Sequence, residues 1–227
     1  HSFKRLVMKH GSPSGLSPAS KGLVILSMGK LSGHELNFSS DIDLIYLRNP
    51  EDGWTTGPDR ISVSKFYELL ARSVNKAMSD VTEDGFVFRV DLRLRPEGEK
   101  GELVPSLRNA VEYYLSWGRT WERAALMKAL PIAGDLDLGY EFLKEIEPFV
   151  YRKHLDYSTL DEMRSMKRQI QTQLKKRPGL NIKLGQGGIR EIEFFVQALQ
   201  LSNGGKNRKL RSPSTLKALD LLNEGGL

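Results

Sequence analysis

The sequence contains no cysteine and only four histidines among its 227 residues. The absence of cysteine excludes disulfide bonds, thiolate catalysis and cysteine-based zinc sites, and none of the histidines has the spacing of a metal ligand. No apolar run approaches the roughly 20 residues that a membrane span needs, and no signal peptide is visible. These absences predict a cytoplasmic protein with no membrane partner.

Charged residues make up 27% of the chain, and the net charge is +6. A basic balance of this kind can indicate nucleic-acid binding. However, lysine and arginine are spread along the chain, and the short clusters at 175–177 and 206–209 lie beside proline or glycine. This distribution is typical of solvated loops, so we predict no nucleic-acid partner.

Two aspartates, Asp41 and Asp43, lie in the apolar segment 39–46. Side chains alternate along a strand with a period of two, so both carboxylates project from the same face. Neighbouring carboxylates repel each other unless a cation lies between them, and a hard divalent ion with oxygen ligands meets this need. A solvated strand end is the alternative for an isolated Asp-x-Asp. We predict one or two Mg²⁺ ions here, or Mn²⁺ in their place.

A β-branched apolar run over 23–28 ends in a glycine-rich turn at 29–33. Glycines at positions 29 and 33 would let main-chain N–H groups approach a phosphate, and a helix N-terminus would add a favourable dipole. Residues 35–37 predict a short helix that leads to the Asp strand. A glycine turn ahead of an apolar Asp-x-Asp strand is the layout of the nucleotidyltransferase fold typified by DNA polymerase beta.

This fold also needs a third carboxylate on a neighbouring strand, and the alternating segment 86–96 offers Asp91. The strand pattern places the apolar side chains of Val90, Leu92 and Leu94 on one face. Asp91 lies on the other face with Arg89, Arg93 and Arg95. Guanidinium groups bind phosphate oxygens bidentately, so we predict Asp91 as a metal ligand and Arg93 and Arg95 as phosphate contacts. The alternative is an amphipathic strand whose charged face lies in water.

Residues 29–44 closely resemble the signature of the glutamine synthetase adenylyltransferases. These bifunctional enzymes add AMP to a tyrosine of glutamine synthetase and remove it again. The likeness continues, in order, through residues 90–96, 118–123 and 187–194. One departure is Ser32, where the family usually carries glycine; serine is small and can itself bond a phosphate.

The resemblance implies an α+β fold, with a DNA polymerase beta-like nucleotidyltransferase domain followed by a helical bundle domain. It implies that Asp41, Asp43 and Asp91 bind the metal and act in catalysis together with Arg93. The nucleotide and phosphate would be bound by Gly29, Ser32, Gly33, Ser40, Arg95 and Arg190.

Family members contain two related halves, one removing AMP by phosphorolysis and the other attaching it from ATP. Three features resemble the removing half: Asn37-Phe38, Glu122-Arg123 after Trp121, and Arg190. The resemblance implies glutamine synthetase as protein substrate, ATP, ADP, AMP and phosphate as small ligands, and the PII signalling protein as a partner of other parts of the enzyme. The alternatives are adenylylation from ATP, a catalytically inert binding module, and nucleotide transfer to RNA or a small alcohol such as an aminoglycoside.

We predict an N-terminal linker over 1–20, a catalytic domain over 21–135 and an incomplete helical domain over 136–227. The first residue is histidine, which indicates a segment excised from a longer chain. Apolar spacing predicts a helix over 62–78 and a turn over 81–86. Segments 107–117 and 121–130 fit helix or strand, whereas 140–150, 160–174 and 189–201 predict helices.

Some charged side chains in these helices allow two interpretations. Glu122 and Arg123 form either a surface ion pair or part of the catalytic site. Arg190 adds charge to a helix N-terminus, which attracts anions. Glu191 and Glu193 diverge on a helix, so we predict that they complement its dipole and do not share a metal.

Overall fold

A computed structural model describes residues 1–16, 22–50, 52–152, 165, 168, 182, 183 and 187–227. The chain forms two compact units. The first contains His1–Trp117 and Ala129–Ile146, and the second contains Gly118–Lys128 and Glu147–Leu227. The predicted single boundary near residue 135 thus lies inside the first unit, because a strand and a helix after residue 129 pack on its sheet.

The first unit is built on a mixed four-stranded sheet with the order β3-β2-β1-β4. The strands are β1 (Leu23–Met28), β2 (Ile42–Arg48), β3 (Val90–Asp91) and β4 (Leu130–Gly134). β1 pairs antiparallel with both β2 and β4, and β2 pairs parallel with β3. The apolar runs of β1 and β2 are buried at nearly every position, as expected for the two central strands.

The helices of the described residues follow in chain order. They are α1 (Ser2–His10), α2 (Gly29–Ser32), α3 (Val63–Ser79), α4 (Leu107–Trp117), α5 (Thr120–Leu126), α6 (Leu136–Glu145), α7 (Glu147–Val150), α8 (Ile189–Asn203) and α9 (Thr215–Glu224). Short 3₁₀ helices lie at Gly98–Lys100 and Arg208–Leu210.

Helix α3 supplies most of the core that packs against the sheet. Ser62 caps it by accepting a hydrogen bond from the Lys65 main-chain nitrogen, which satisfies one free N–H of the first turn. The predicted helix over 62–78 is therefore confirmed. Buried side chains of α3 and the strands form one apolar cluster, consisting of Leu23, Ile42, Leu44, Tyr46, Val63, Phe66, Tyr67, Leu70, Ala71 and Val104.

Three local predictions differ from the structure. The short helix expected at 35–37 is absent, and α2 lies earlier, at Gly29–Ser32. The predicted linker contains α1, whose Phe3 packs edge-to-face on Phe66 at 5.7 Å between ring centres. The predicted strand over 86–96 is only two residues long, because the chain turns after β3, where the Arg95 main-chain nitrogen donates to the Leu92 carbonyl at 3.4 Å.

The second unit is helical in its described part. α8 confirms the helix predicted over 189–201. Of the helix predicted over 160–174, only residues 165 and 168 are described, and both are helical. A small core joins α8, the Arg208–Leu210 turn and α9 through Val196, Leu210, Ala218 and Leu222. Among the described residues, no helix is both long and apolar enough to cross a bilayer.

Candidate active site

Asp43 and Asp91 are register partners in the parallel pair of β2 and β3. Residues paired in this way on neighbouring strands project from the same face of the sheet. Gly29 lies beside them at the end of β1, with φ 58°, and a Cβ at this position would be 3.2 Å from Asp43 Oδ2. The glycine therefore leaves open the space next to this carboxylate.

Arg93 binds Asp91 through both its side chain and its main chain. Its Nε lies 3.0 Å from each carboxylate oxygen, and its main-chain nitrogen donates to Oδ1 at 2.9 Å. The Arg93 hydrogen bonds lower the pKa of Asp91 despite its partial burial, so the carboxylate is ionised at neutral pH. Asp91 raises the pKa of Arg93, and Asp43 contributes to this shift. The two aspartates and Arg93 thus share one electrostatic environment.

Asp41 lies one residue before β2 and is exposed. Arg89 donates from Nε to Asp41 Oδ1 at 2.5 Å, and from Nη2 to the Ser39 carbonyl at 2.5 Å. Arg89 was not among the predicted site residues. Its position two residues before Asp91, on the same predicted strand face, was the available signal.

Arg95 is bound by the main chain of its own loop. Its guanidinium donates to the carbonyls of Leu92 at 2.8 Å, Glu99 at 3.1 Å and Gly101 at 3.5 Å. Partial burial lowers the pKa of Arg95. These bonds stabilise the turn after β3, and they use three of the five N–H donors of the guanidinium.

A cavity of about 470 Å³ joins the arginines to two of the three aspartates. Its size lies within the range of small-ligand sites. The structure therefore brings Asp41, Asp91, Arg93 and Arg95 together around one cavity. The lining consists of Asp41, Arg89, Val90, Asp91, Leu92, Arg93, Arg95 and Glu99.

The carboxylates fit a hard divalent ion by chemistry, since all three offer oxygen ligands and Asp91 is ionised. Their arrangement is not that of a metal cluster: in the described ranges, no three His, Cys, Asp or Glu side chains are grouped to hold a metal ion. Arg89 and Arg93 neutralise Asp41 and Asp91 in this conformation. Metal binding at Asp91 would therefore require its ion pair with Arg93, which engages both carboxylate oxygens, to rearrange, whereas Arg89 engages Oδ1 of Asp41.

The glycine turn differs in part from its predicted role. The Ser32 side chain is buried, and its hydroxyl lies 2.8 Å from Ser27 Oγ, which in turn donates to the Leu130 carbonyl at 3.2 Å. The hydroxyl that was predicted to bond a phosphate therefore links α2 to β1 and, through Ser27, to β4. The main-chain nitrogen of Ser40 also has a partner, the Asn37 carbonyl at 3.1 Å. Gly33 is buried at the end of α2.

In the second unit, Glu122 and Arg123 are each only 2% exposed, so they do not form a surface ion pair. Glu122 accepts a hydrogen bond from the Arg119 main-chain nitrogen at 2.8 Å and so caps α5. Arg123 donates to the Val150 carbonyl at 3.3 Å. Both side chains thus stabilise the helices around them. The sequence of residues 121–123 alone did not distinguish this structural role from a catalytic role.

The acidic residues of α8 also have structural contacts. Glu191 accepts a hydrogen bond from the Gly187 nitrogen at 3.0 Å, which agrees with its predicted role at the helix N-terminus. Glu193 lies 3.8 Å from the buried Lys128 Nζ, which donates to Thr215 Oγ1 at 2.9 Å. Arg190 is exposed in the first turn of α8.

A mixed sheet with paired aspartates on neighbouring strands, beside arginines, is compatible with the nucleotidyltransferase class. Comparison with known families agrees: residues 1–145 match the family described as glutamate-ammonia ligase adenylyltransferase. The chain belongs to this family of enzymes. Residues 161–227 match the family described as GlnD PII-uridylyltransferase.

Curated relatives share the name "Bifunctional glutamine synthetase adenylyltransferase/adenylyl-removing enzyme". The protein of Methylococcus capsulatus is 48% identical over 221 residues, which cover 97% of this chain and 23% of the relative. The Rhizobium meliloti protein is 46% identical, covering 100% of this chain and 23% of the relative. The Pseudomonas aeruginosa protein is 44% identical, covering 98% and 23%. The chain therefore spans about a quarter of the length of these relatives.

Proposed function

We propose that this chain removes AMP from an adenylylated tyrosine of glutamine synthetase by Mg²⁺-dependent phosphorolysis, releasing ADP, and so regulates nitrogen assimilation. The observation that carries this proposal is the register pairing of Asp43 with Asp91, with Arg93 beside them. Family membership and the names of the relatives support glutamine synthetase as the protein substrate. The match of residues 161–227 supports a link to PII signalling, through other parts of the enzyme.

Asp41, Asp43 and Asp91 would hold one or two Mg²⁺ or Mn²⁺ ions, because their carboxylate oxygens are the ligands that these ions prefer. When bound, the metal would neutralise negative charge on the phosphoryl oxygens. The low pKa of Asp91 supports this role, since the ligand is already ionised. The open space beside Gly29 leaves room for a ligand next to Asp43.

Arg93 is the side chain best placed to bind the incoming phosphate. Its side chain is 69% exposed, and a guanidinium can exchange one oxyanion partner for another without losing its charge. An oxygen of inorganic phosphate attacks the adenylyl phosphorus, the bond to the tyrosine oxygen breaks, and ADP and tyrosine result. Phosphate is a good nucleophile at neutral pH, so the site needs to position it and requires no His or Cys base.

The direction of the reaction rests on sequence features of the removing half, which are Asn37-Phe38, Glu122-Arg123 and Arg190. Adenylylation of glutamine synthetase from ATP is the second candidate. The relatives are named as bifunctional enzymes, and a segment of this length could carry either activity. Their names therefore support this second candidate as well.

Two parallel assays test the direction. In the first, the chain is incubated with adenylylated glutamine synthetase, Mg²⁺ and phosphate, and ADP is measured. In the second, it is incubated with unmodified synthetase, Mg²⁺ and ATP, and pyrophosphate is measured. We expect phosphate-dependent ADP release in the first and little product in the second. Labelling from ATP without phosphorolysis would reverse the assignment, and inactivity in both would favour an inert binding module.

A further inference from the structure

Arg89 joins the segment before β2 to the segment before β3. Its side chain donates to Asp41 Oδ1 and to the Ser39 carbonyl, and its own carbonyl accepts from the Ile42 nitrogen at 2.9 Å. The guanidinium carbon also lies 5.9 Å from the centre of the Phe86 ring, within cation–π range. One residue thus contacts both the exposed carboxylate and the turn that presents it.

This turn is strained and is not fixed by the strand. Ser39 has φ 60°, in the left-handed region that residues other than glycine rarely adopt, at a cost of about 1 kcal/mol or more. Asp41 lies outside β2, so the strand ladder does not set its orientation. The Arg89 bond to the Ser39 carbonyl acts directly at the strained residue.

We propose that Arg89 is a positioning residue that orients Asp41 for a divalent cation by binding Oδ1 and leaving Oδ2 to the metal. The proposal rests on the proposed function, since it takes Asp41 as a metal ligand. Carboxylate ligands are commonly oriented by such outer hydrogen bonds. An arginine acting through charge alone would repel the cation, so its removal would strengthen metal binding. Positioning predicts the opposite sign.

Mn²⁺ binding, followed by electron paramagnetic resonance, separates these roles without measuring activity. We expect Arg89→Met to raise the Kd for Mn²⁺ about 10-fold or more. Arg60→Met is the matched control, because Arg60 also lies 5.9 Å from an aromatic ring, that of Trp54, and donates to a main-chain carbonyl. Its Kd should equal that of the wild type.

Unchanged or tighter Mn²⁺ binding by Arg89→Met would overturn the positioning role while leaving the proposed function intact. A wild-type chain that binds no Mn²⁺ would instead overturn the proposed metal site, and this proposal with it. The two failures are therefore distinguishable.

A rescue variant tests the mechanism of positioning. Glycine adopts positive φ without strain, so Ser39→Gly should recover part of the Mn²⁺ affinity lost in Arg89→Met. Hydrogen exchange should accelerate at residues 39–42 in Arg89→Met, while α3 keeps its protection. Faster exchange throughout the first unit, or no recovery of affinity by Ser39→Gly, would show that Arg89 is only a general stabilising residue and would overturn the proposal.

Discussion

Arg93 folds back onto Asp91, two residues before it, and donates to this carboxylate from both its main chain and its guanidinium. The same cavity is lined by Arg95, whose donors are instead bound by the carbonyls of its own loop. Two arginines of the same predicted strand face therefore have different tasks. Arg93 binds the Asp91 carboxylate, whereas Arg95 maintains the turn.

Lysine substitutions should separate these tasks. Arg93→Lys keeps the charge but loses the parallel N–H donors of the guanidinium. We therefore expect the rate of phosphorolysis to fall about tenfold or more, with little change in stability. Arg95→Lys loses several bonds to carbonyls, so we expect the free energy of unfolding to fall by about 1–3 kcal/mol. Steady-state rates and urea denaturation of both variants measure these effects. Full activity of Arg93→Lys would exclude bidentate recognition of phosphate at this position.

Replacing Asp41 and Asp43 should abolish the binding of divalent ions. In the Asp41→Asn, Asp43→Asn double variant, two charged oxygen ligands are replaced by neutral amides, so Mn²⁺ or Mg²⁺ should no longer bind at the site. Calorimetric titration measures this loss. Asp80→Asn is the control, because Asp80 lies in a surface ion pair with Lys76 at the end of α3. Wild-type affinity in the double variant would refute the metal site.

Stability should depend on pH through Asp91. Arg93 lowers the pKa of this carboxyl in the folded chain, so the ion pair contributes to stability above the ordinary Asp pKa of about 3.9. The contribution is lost as the pH falls through the lowered folded value. Arg93→Gln should therefore be less stable than the wild type at neutral pH, and the difference should disappear in acid.

Urea denaturation between neutral and strongly acidic pH measures this difference. Arg60→Gln is a suitable comparison, because Arg60 donates to the Thr55 carbonyl, which does not titrate. The stability difference between this variant and the wild type should be independent of pH. If the difference for Arg93→Gln is also constant across the range, Asp91 is not the group responsible.

Ser32 should affect stability and not phosphate binding. Ser32→Ala removes the hydroxyl bound to Ser27, at an expected cost of about 1 kcal/mol in the free energy of unfolding. The KM for phosphate should remain at the wild-type value, because the hydroxyl is buried inside the first unit. A large increase in this KM without loss of stability would restore the predicted phosphate contact.

Local patterns predicted the elements that depend on local interactions. Helix α3 follows from its apolar spacing and from the Ser62 cap, and β2 follows from its apolar run. The length of β3 could not be predicted, because it is limited by the turn that follows it and by the bonds of Arg95 to its loop. Helix α1 was missed because its stability comes from packing against α3.

The sequence indicated candidate site residues but not their contacts. Strand alternation indicates which face a side chain occupies, yet it does not identify the partner across the sheet, so the pairing of Asp43 with Asp91 required the structure. The same limit applies to Arg89, whose bonds to Asp41 and Ser39 join segments 48 and 50 residues apart. The burial of Glu122 likewise depends on tertiary packing.

The discontinuity of the first unit determines how it can be isolated for experiments. A chain truncated after Trp117 would keep the aspartates but lose β4, whose hydrogen bonds cover one side of β1. The main-chain groups of β1 would then form an open edge, which promotes self-association. To be expressed by itself, the first unit therefore needs both of its pieces, His1–Trp117 and Ala129–Ile146, joined by a flexible linker or produced together.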